Sequence, residues 1–162
     1  MAIELTMENF NSMIDNVITG ICFFNYEDGE LTPIFINEGF FRMLGYSRVQ
    51  GMKFLEKVEL SIIPEDIPIY RQGIRDVLKD DGVVDVEFRT VTGSGNLRWL
   101  HVRGNLYARE GKTYTIVTII EDVTERKNVE EELQRQAERL HILSEAEGEK
   151  VLGYNAKTDV MV

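Results

Sequence analysis

Cysteine, histidine and proline are all scarce in this chain of 162 residues, with one Cys (Cys22), two His and three Pro, and each shortage excludes something. One cysteine cannot close an internal disulfide. Together with the widely separated His101 and His141, it cannot supply a four-ligand structural zinc site either. No run of about 18 apolar residues occurs, and the residues around the first apolar positions at the N-terminus are acidic rather than basic. A soluble, cytoplasmic piece without direct membrane contact is therefore expected. Basic residues are short as well: 18 Lys+Arg against 28 Asp+Glu leave a net charge of -10, a field that repels phosphate and argues against a nucleic-acid partner.

Catalytic signatures are equally absent. No Ser-His-Asp order, Gly-rich phosphate loop or His-Glu-x-x-His stretch appears, so no active site is read and an enzyme is not expected. The acidic runs Glu27-Asp28, Glu65-Asp66, Asp80-Asp81 and Glu130-Glu131-Glu132 fall at turns or helix ends, where they read as solvated charges rather than metal or acid-base sites. What remains is ordinary globular composition, 43% apolar and 28% charged. A chain of this length buries roughly 70% of its unfolded surface and needs no staples.

Periodicity divides the chain. Phe10, Met13, Ile14, Val17 and Ile18 recur at helical spacing over 7–18, predicting a short amphipathic helix. ICFFNY (21–26) and LTPIFI (31–36) flank the turn signal EDGE, predicting a hairpin. Asn37 can cap the helix that follows, with Phe40, Phe41 and Leu44 on its apolar face and Gly45 at its end. Between 46 and 63 the pattern predicts a short helix or turns. From Pro64, Ile67, Tyr70, Ile74, Val77 and Leu78 share one helical face up to Gly82. Three strands at 83–91, 97–107 and 113–122, joined by TGSGN and REGK, predict an antiparallel meander and an α+β fold. After Asp122 a Glu-, Arg- and Gln-rich segment predicts a long helix with a narrow stripe of Val129, Leu133, Ala137 and Leu140, suited to a partner helix. Sliding the chain by 130 residues sets ICFFNYEDGEL against VLGYNAKTDVM at 151–161, which predicts that a second copy of the fold begins near 140 and that the chain is irregular from about 146.

Four stretches in this order, FINEGFFRMLGYS (35–47), IIPEDIPIY (62–70), FRTVTGSGNLRWLHVRG (88–104) and IIEDVTERK (119–127), resemble the PAS domain, a sensory module of bacterial signalling proteins. The resemblance covers roughly 8–126. It implies a five-stranded antiparallel sheet in order 2-1-5-4-3, with helices on one face enclosing a small-molecule cavity. The organisation it implies is an N-terminal helix (1–19), a PAS core (20–122), a signalling or coiled-coil helix (123–145) and the truncated start of a second repeat (146–162). The function implied is sensing or relay to an effector further along the same chain, such as a diguanylate cyclase, a phosphodiesterase or a histidine kinase.

Under that resemblance, Asp122 and Thr124 become candidates for signal relay, since both residue types cap a helix start. Strand alternation assigns a cavity wall of Val86, Phe88, Thr90, Leu100, Val102, Ile116, Thr118 and Ile120, opposed by Phe40, Phe41, Leu44, Ile67, Tyr70 and Ile74. Only Thr90, Thr118, Tyr70 and Arg42 among these regions can orient a ligand by hydrogen bonds, so a ligand would be small and largely apolar or aromatic. The competing reading is an interior filled by its own aromatics, leaving a ligandless interaction module. No cofactor is required. The cysteine of flavin-adduct relatives and the His of haem-binding relatives have no counterpart at the matching positions, so flavin and haem, the redox or gas-sensor alternative, are not expected. Cys22 reads as a small buried hydrophobe and His101 as a residue of the outer sheet face. A homodimer is expected through Phe10, Met13 and Val17 of the first helix, Trp99, Val117 and Ile119 on the outer sheet face, and Val129, Leu133 and Leu140 of the long helix.

Overall fold

The computed structural model describes the backbone of residues 6–158, and the side chains of residues 6–146 except that of Asn11. The chain divides into two compact units, one ending at Thr124 and the other starting at Glu125.

In the first unit, helix α1 (Met7–Asp15) begins at Thr6, whose hydroxyl accepts the Asn9 amide, and ends short of Val17 and Ile18. Strands β1 (Gly20–Glu27) and β2 (Glu30–Ile36) form the expected hairpin. Asp28 and Gly29 both take positive φ (50° and 83°), the backbone of a two-residue turn that follows strand twist and favours an Asp-Gly sequence. Asn37 caps α2 (Glu38–Leu44), and Gly45 ends it in the left-handed conformation. Helix α3 (Arg48–Glu56) starts with a reciprocal cap between Ser47 and Gln50, and the short α4 (Val58–Ser61) follows. A 3-10 turn at Pro64–Asp66 leads into α5 (Ile67–Val77), so the helix read from Pro64 onward is two pieces. The meander is β3 (Val83–Val91), β4 (Leu97–Glu110) and β5 (Thr113–Asp122).

These strands make one antiparallel sheet in the order β2-β1-β5-β4-β3. Residue parity sorts its two faces. Cys22, Phe24, Val84, Phe88, Leu100, Ile116 and Ile120 are buried beneath the helices, while Asp85, His101 and Arg103 point outward. Helix α2 approaches the preceding segment so closely that a Cβ on Gly39 would lie 2.1 Å from the Val17 carbonyl oxygen, a contact only glycine permits.

Helix α6 (Thr124–Thr158) supplies the second unit from Glu125 onward. At 1.5 Å per residue it runs about 52 Å. It continues past 146, where irregular chain is expected from the sequence, and no proline interrupts it. Residues 159–162, the end of the stretch matched to a second repeat, lie outside the described residues.

Candidate functional site

The sheet carries two features of opposite character, one on its inner face and one at an end. Its middle holds an apolar cavity of about 80 Å³, walled by β-strand residues Phe24, Val84, Val86, Phe88, Leu100, Val102, Ile116, Thr118 and Ile120 and by Phe40, Phe54, Leu55, Tyr70 and Ile74 from the helices. The rings are fixed by one another: Tyr70 meets Phe88 edge-on at 5.6 Å, and Phe40 lies 6.4 Å from Phe54. Thr118 donates its hydroxyl to the Cys22 carbonyl at 2.8 Å, which leaves the Tyr70 hydroxyl as the side-chain polar group of the lining without a hydrogen bond among the described residues. Burial pushes the Tyr70 phenol up to about 12, so it stays a neutral donor.

Ten of the fourteen residues assigned to the cavity wall line it: Phe40, Tyr70, Ile74, Val86, Phe88, Leu100, Val102, Ile116, Thr118 and Ile120. The other four do not. Phe41 turns toward α3, where its ring packs on Gly51 and under the Arg48 guanidinium at 5.0 Å, since consecutive helix residues point about 100° apart and only one of Phe40 and Phe41 can face the sheet. Leu44 and Ile67 pack into the surrounding core. Thr90 is fully buried near the end of β3, where Ile62 bridges to it, and does not reach the void. Arg42 bonds the Asp15 carbonyl and takes no part in the lining. Phe24, Leu31, Phe54, Leu55, Val58, Gly73, Val77 and Val84 are lining residues that the sequence reading missed. Strand alternation would have found Phe24 and Val84. The α3–α4 residues carried too little periodicity to assign.

Neither histidine nor cysteine lines the cavity. His101 lies on the outer face, 2.6 Å from the Asp85 carboxylate. Cys22 sits in the core with its thiol pushed up by burial, a weak nucleophile and a poor ligand. These residues do not fit an iron ligand or a flavin-adduct thiol.

The second feature is a polar cluster at the end of the sheet where α6 begins. Asp122 takes the Thr124 amide (3.0 Å) and hydroxyl on one carboxylate oxygen and pairs with Arg98 at 3.3 Å through the other. The Thr124 hydroxyl also accepts the Trp99 amide at 2.9 Å, and the Val123 amide donates to the Trp99 carbonyl at 2.9 Å, so Val123 and Thr124, where the exit helix begins, are tied to β4. Trp99 in turn lies 5.2 Å beneath the Arg89 guanidinium. Arg89 reaches Asp66 through Nε (2.8 Å), Nη2 (2.7 Å) and its backbone amide (2.8 Å). The hydrogen bonds from Arg89 hold the Asp66 carboxyl below the usual aspartate range despite its burial. Its place at a helix start makes Asp66 read as a solvated acid in the sequence. At 4% exposure it is a buried anchor for the start of α5, one of the cavity walls.

Asn37 completes the cluster's frame. Its Oδ1 accepts the Ile21 (2.8 Å) and Phe40 (3.2 Å) amides, and its Nδ2 donates to the Ile14 (2.9 Å) and Thr19 (3.0 Å) carbonyls. One side chain thereby joins α1, β1 and α2.

A five-stranded antiparallel sheet in this order, helices over one face and a void between them, defines a PAS-type sensory fold. A family pattern described as "PAS fold" matches residues 33–120, more than half of the chain, and the chain belongs to that family. It is 33% identical over 92 residues to the probable diguanylate cyclase DgcE of Escherichia coli K12, a match that takes in 56% of this chain and 8% of that protein's length. Among solved structures, a sensory box histidine kinase/response regulator from Burkholderia thailandensis matches with a TM-score of 0.57 and 27% identity, covering 82% of this chain and 98% of that one. A PAS domain from Colwellia psychrerythraea, at 18% identity and a TM-score of 0.57 over 74% and 98% of the two chains, shares the fold. This is a PAS sensory domain similar to the sensor regions of kinase- and cyclase-linked proteins.

Proposed function

We propose that this domain is a non-catalytic sensor and relay: occupancy of the cavity shifts α5 and the inner sheet face, and the polar cluster passes that shift to α6 and on to an effector in the same polypeptide. The observation that carries the reading is the continuous set of contacts Asp66–Arg89–Trp99–Thr124, which begins beside a cavity wall and ends on the first residue of the exit helix, where Asp122 holds the same threonine. The similarity to a probable diguanylate cyclase and to a sensory box histidine kinase supports an effector of one of those two classes.

The domain acts as a homodimer. Phe10 (43% exposed), Met13 and Val17 on and after α1, Trp99, Val117 and Ile119 on the outer sheet face, and Val129, Leu133 and Leu140 along α6 leave apolar surface accessible in the single chain. A stripe of this width on α6 suits a second helix, and replacing Leu133 and Leu140 with Asp should convert dimer to monomer in light scattering. A dimer that survives both changes removes α6 from the interface.

The relay is tested by amide chemical shifts. Dissolved xenon, a probe small enough for the void, should perturb Trp99 and Thr124 as well as the cavity residues in the wild type, and Thr124→Val should confine the perturbation to the cavity. Shifts that stop at the cavity in both proteins would leave no path to the exit helix. The reading as a ligandless interaction module draws on the small volume of the void, and it prevails if neither xenon nor any small apolar molecule produces a shift.

A further inference from the structure

We propose that the cavity is the inner half of a two-chamber site for an elongated amphiphile, an alkyl chain ending in a polar head that carries no negative charge. This rests on the cavity being the sensory site.

Volume is the first argument. An apolar cavity of about 150 Å³ takes a benzene; this one holds about 80 Å³ and cannot enclose a ring or a chain of more than a few carbons. Immediately outside it lies a surface chamber of about 540 Å³ between the β1–β2 hairpin and the α3–α4 segment. The two chambers share five wall residues, Leu31, Leu55, Val58, Tyr70 and Ile74, and these form the neck between them. A molecule too long for the inner chamber has this neck as its continuation.

The second argument is chemical polarity. The inner chamber is apolar apart from groups already described. The neck supplies the Tyr70 hydroxyl, a neutral donor without a hydrogen bond among the described residues. The outer chamber carries Glu30, Glu56, Glu59 and Lys57. Arg71 holds Glu59 through Nε at 2.8 Å and Nη2 at 3.2 Å, which leaves two carboxylates against one ammonium at the mouth, within a chain of net charge -10. A carboxylate or phosphate head would meet repulsion there. A hydroxyl or ammonium head would not. The gradient from a dry inner end to an acidic outer end therefore orders the ligand tail-first.

The test is a chain-length series on the whole chain, with xenon reporting on the inner chamber alone. Affinity of primary alcohols should rise roughly fourfold per methylene from butanol to octanol as each new CH₂ leaves water for the neck. Octylamine should bind at least as well as octanol, and octanoate at least tenfold more weakly. Leu60→Trp, at an exposed position that lines the outer chamber only, should return octanol to the affinity of butanol while the xenon shifts stay as in the wild type. An affinity that levels off at butanol, with xenon still bound, overturns the two-chamber site and leaves the cavity sensor standing. Octanoate binding as tightly as octanol overturns the head-group assignment. Failure of both xenon and alcohols to bind removes the sensory cavity itself, and this site with it.

Discussion

The cavity in the middle of the inner sheet face and the end of the sheet where α6 begins are built from different materials. Around the cavity, the side chains of Ile74, Val86, Val102, Ile116 and Ile120 offer only non-directional apolar contacts and leave a void. At the α6 end, Asn37, Asp66, Arg98, Asp122 and Thr124 are each fixed by hydrogen bonds with defined donors and acceptors. Apolar packing tolerates small displacements at little cost, because no single contact contributes more than a few tenths of a kcal/mol. A buried hydrogen bond has two states, made or broken, and breaking it costs about 1–3 kcal/mol. A sensor needs both: a compliant region where occupancy changes, and a stiff region that turns the change into a defined movement of the exit helix.

If that contrast is right, substitutions at the polar end should cost far more than those at the cavity. The largest effect is expected at Asn37. Asn37→Ala leaves the Ile21 and Phe40 amides and the Ile14 and Thr19 carbonyls without their partner in a site of zero exposure, and should lower unfolding free energy in urea by about 4 kcal/mol. A loss below about 1 kcal/mol would mean that water replaces the side chain and that the frame is softer than its hydrogen bonds suggest.

Asp66→Asn comes next, at about 2 kcal/mol, reduced from a fully buried pair because the Arg89 side chain is one-third exposed and regains water. The same residue sets an acid limit. Its carboxyl titrates below the ordinary value of 3.8, so the native state prefers the ionised form. The stabilisation is complete above that ordinary value and is lost as pH falls from it through the lower folded value. Urea midpoints of wild type and Asp66→Asn should therefore differ most at neutral pH and converge at the acid end. A constant gap would show that the carboxylate charge is not what holds Arg89.

The sequence made the framework legible and the stiff end largely invisible. Alternation in VVDVEFRTV and TYTIVTIIED gave β3 and β5 with their inner faces, because a one-residue slip would expose Phe88 and Ile120. Asn37, Gly45, Asp122 and Thr124 announced helix ends through local chemistry. Asp66 could not be recognised, because an acid at a helix start looks the same whether it meets water or an arginine 23 residues on. The cavity was half legible for a related reason: Phe40 and Phe41 are neighbours in one apolar run, and only the placement of α3 against Gly51 decides which faces the sheet. For α6 the stripe of Val129, Leu133 and Leu140 was clear, whereas its continuation to Thr158 was hidden by the expectation of a second repeat with irregular chain from about 146.

The smallest predicted effect carries the opposite sign and tests the compliant end directly. Val102→Ile adds one methylene to the wall of an 80 Å³ void. In a tightly packed core the extra carbon would force its neighbours off their rotamers at a cost of about 1–3 kcal/mol. In a void it removes apolar surface from contact with nothing, and its burial is worth up to about 0.8 kcal/mol. A slightly raised urea midpoint, together with weaker xenon shifts, would locate the slack of the domain where the cavity is. A clear loss of stability would mean that Val102 is held as tightly as Asn37, and the distinction between a compliant and a stiff end would fall.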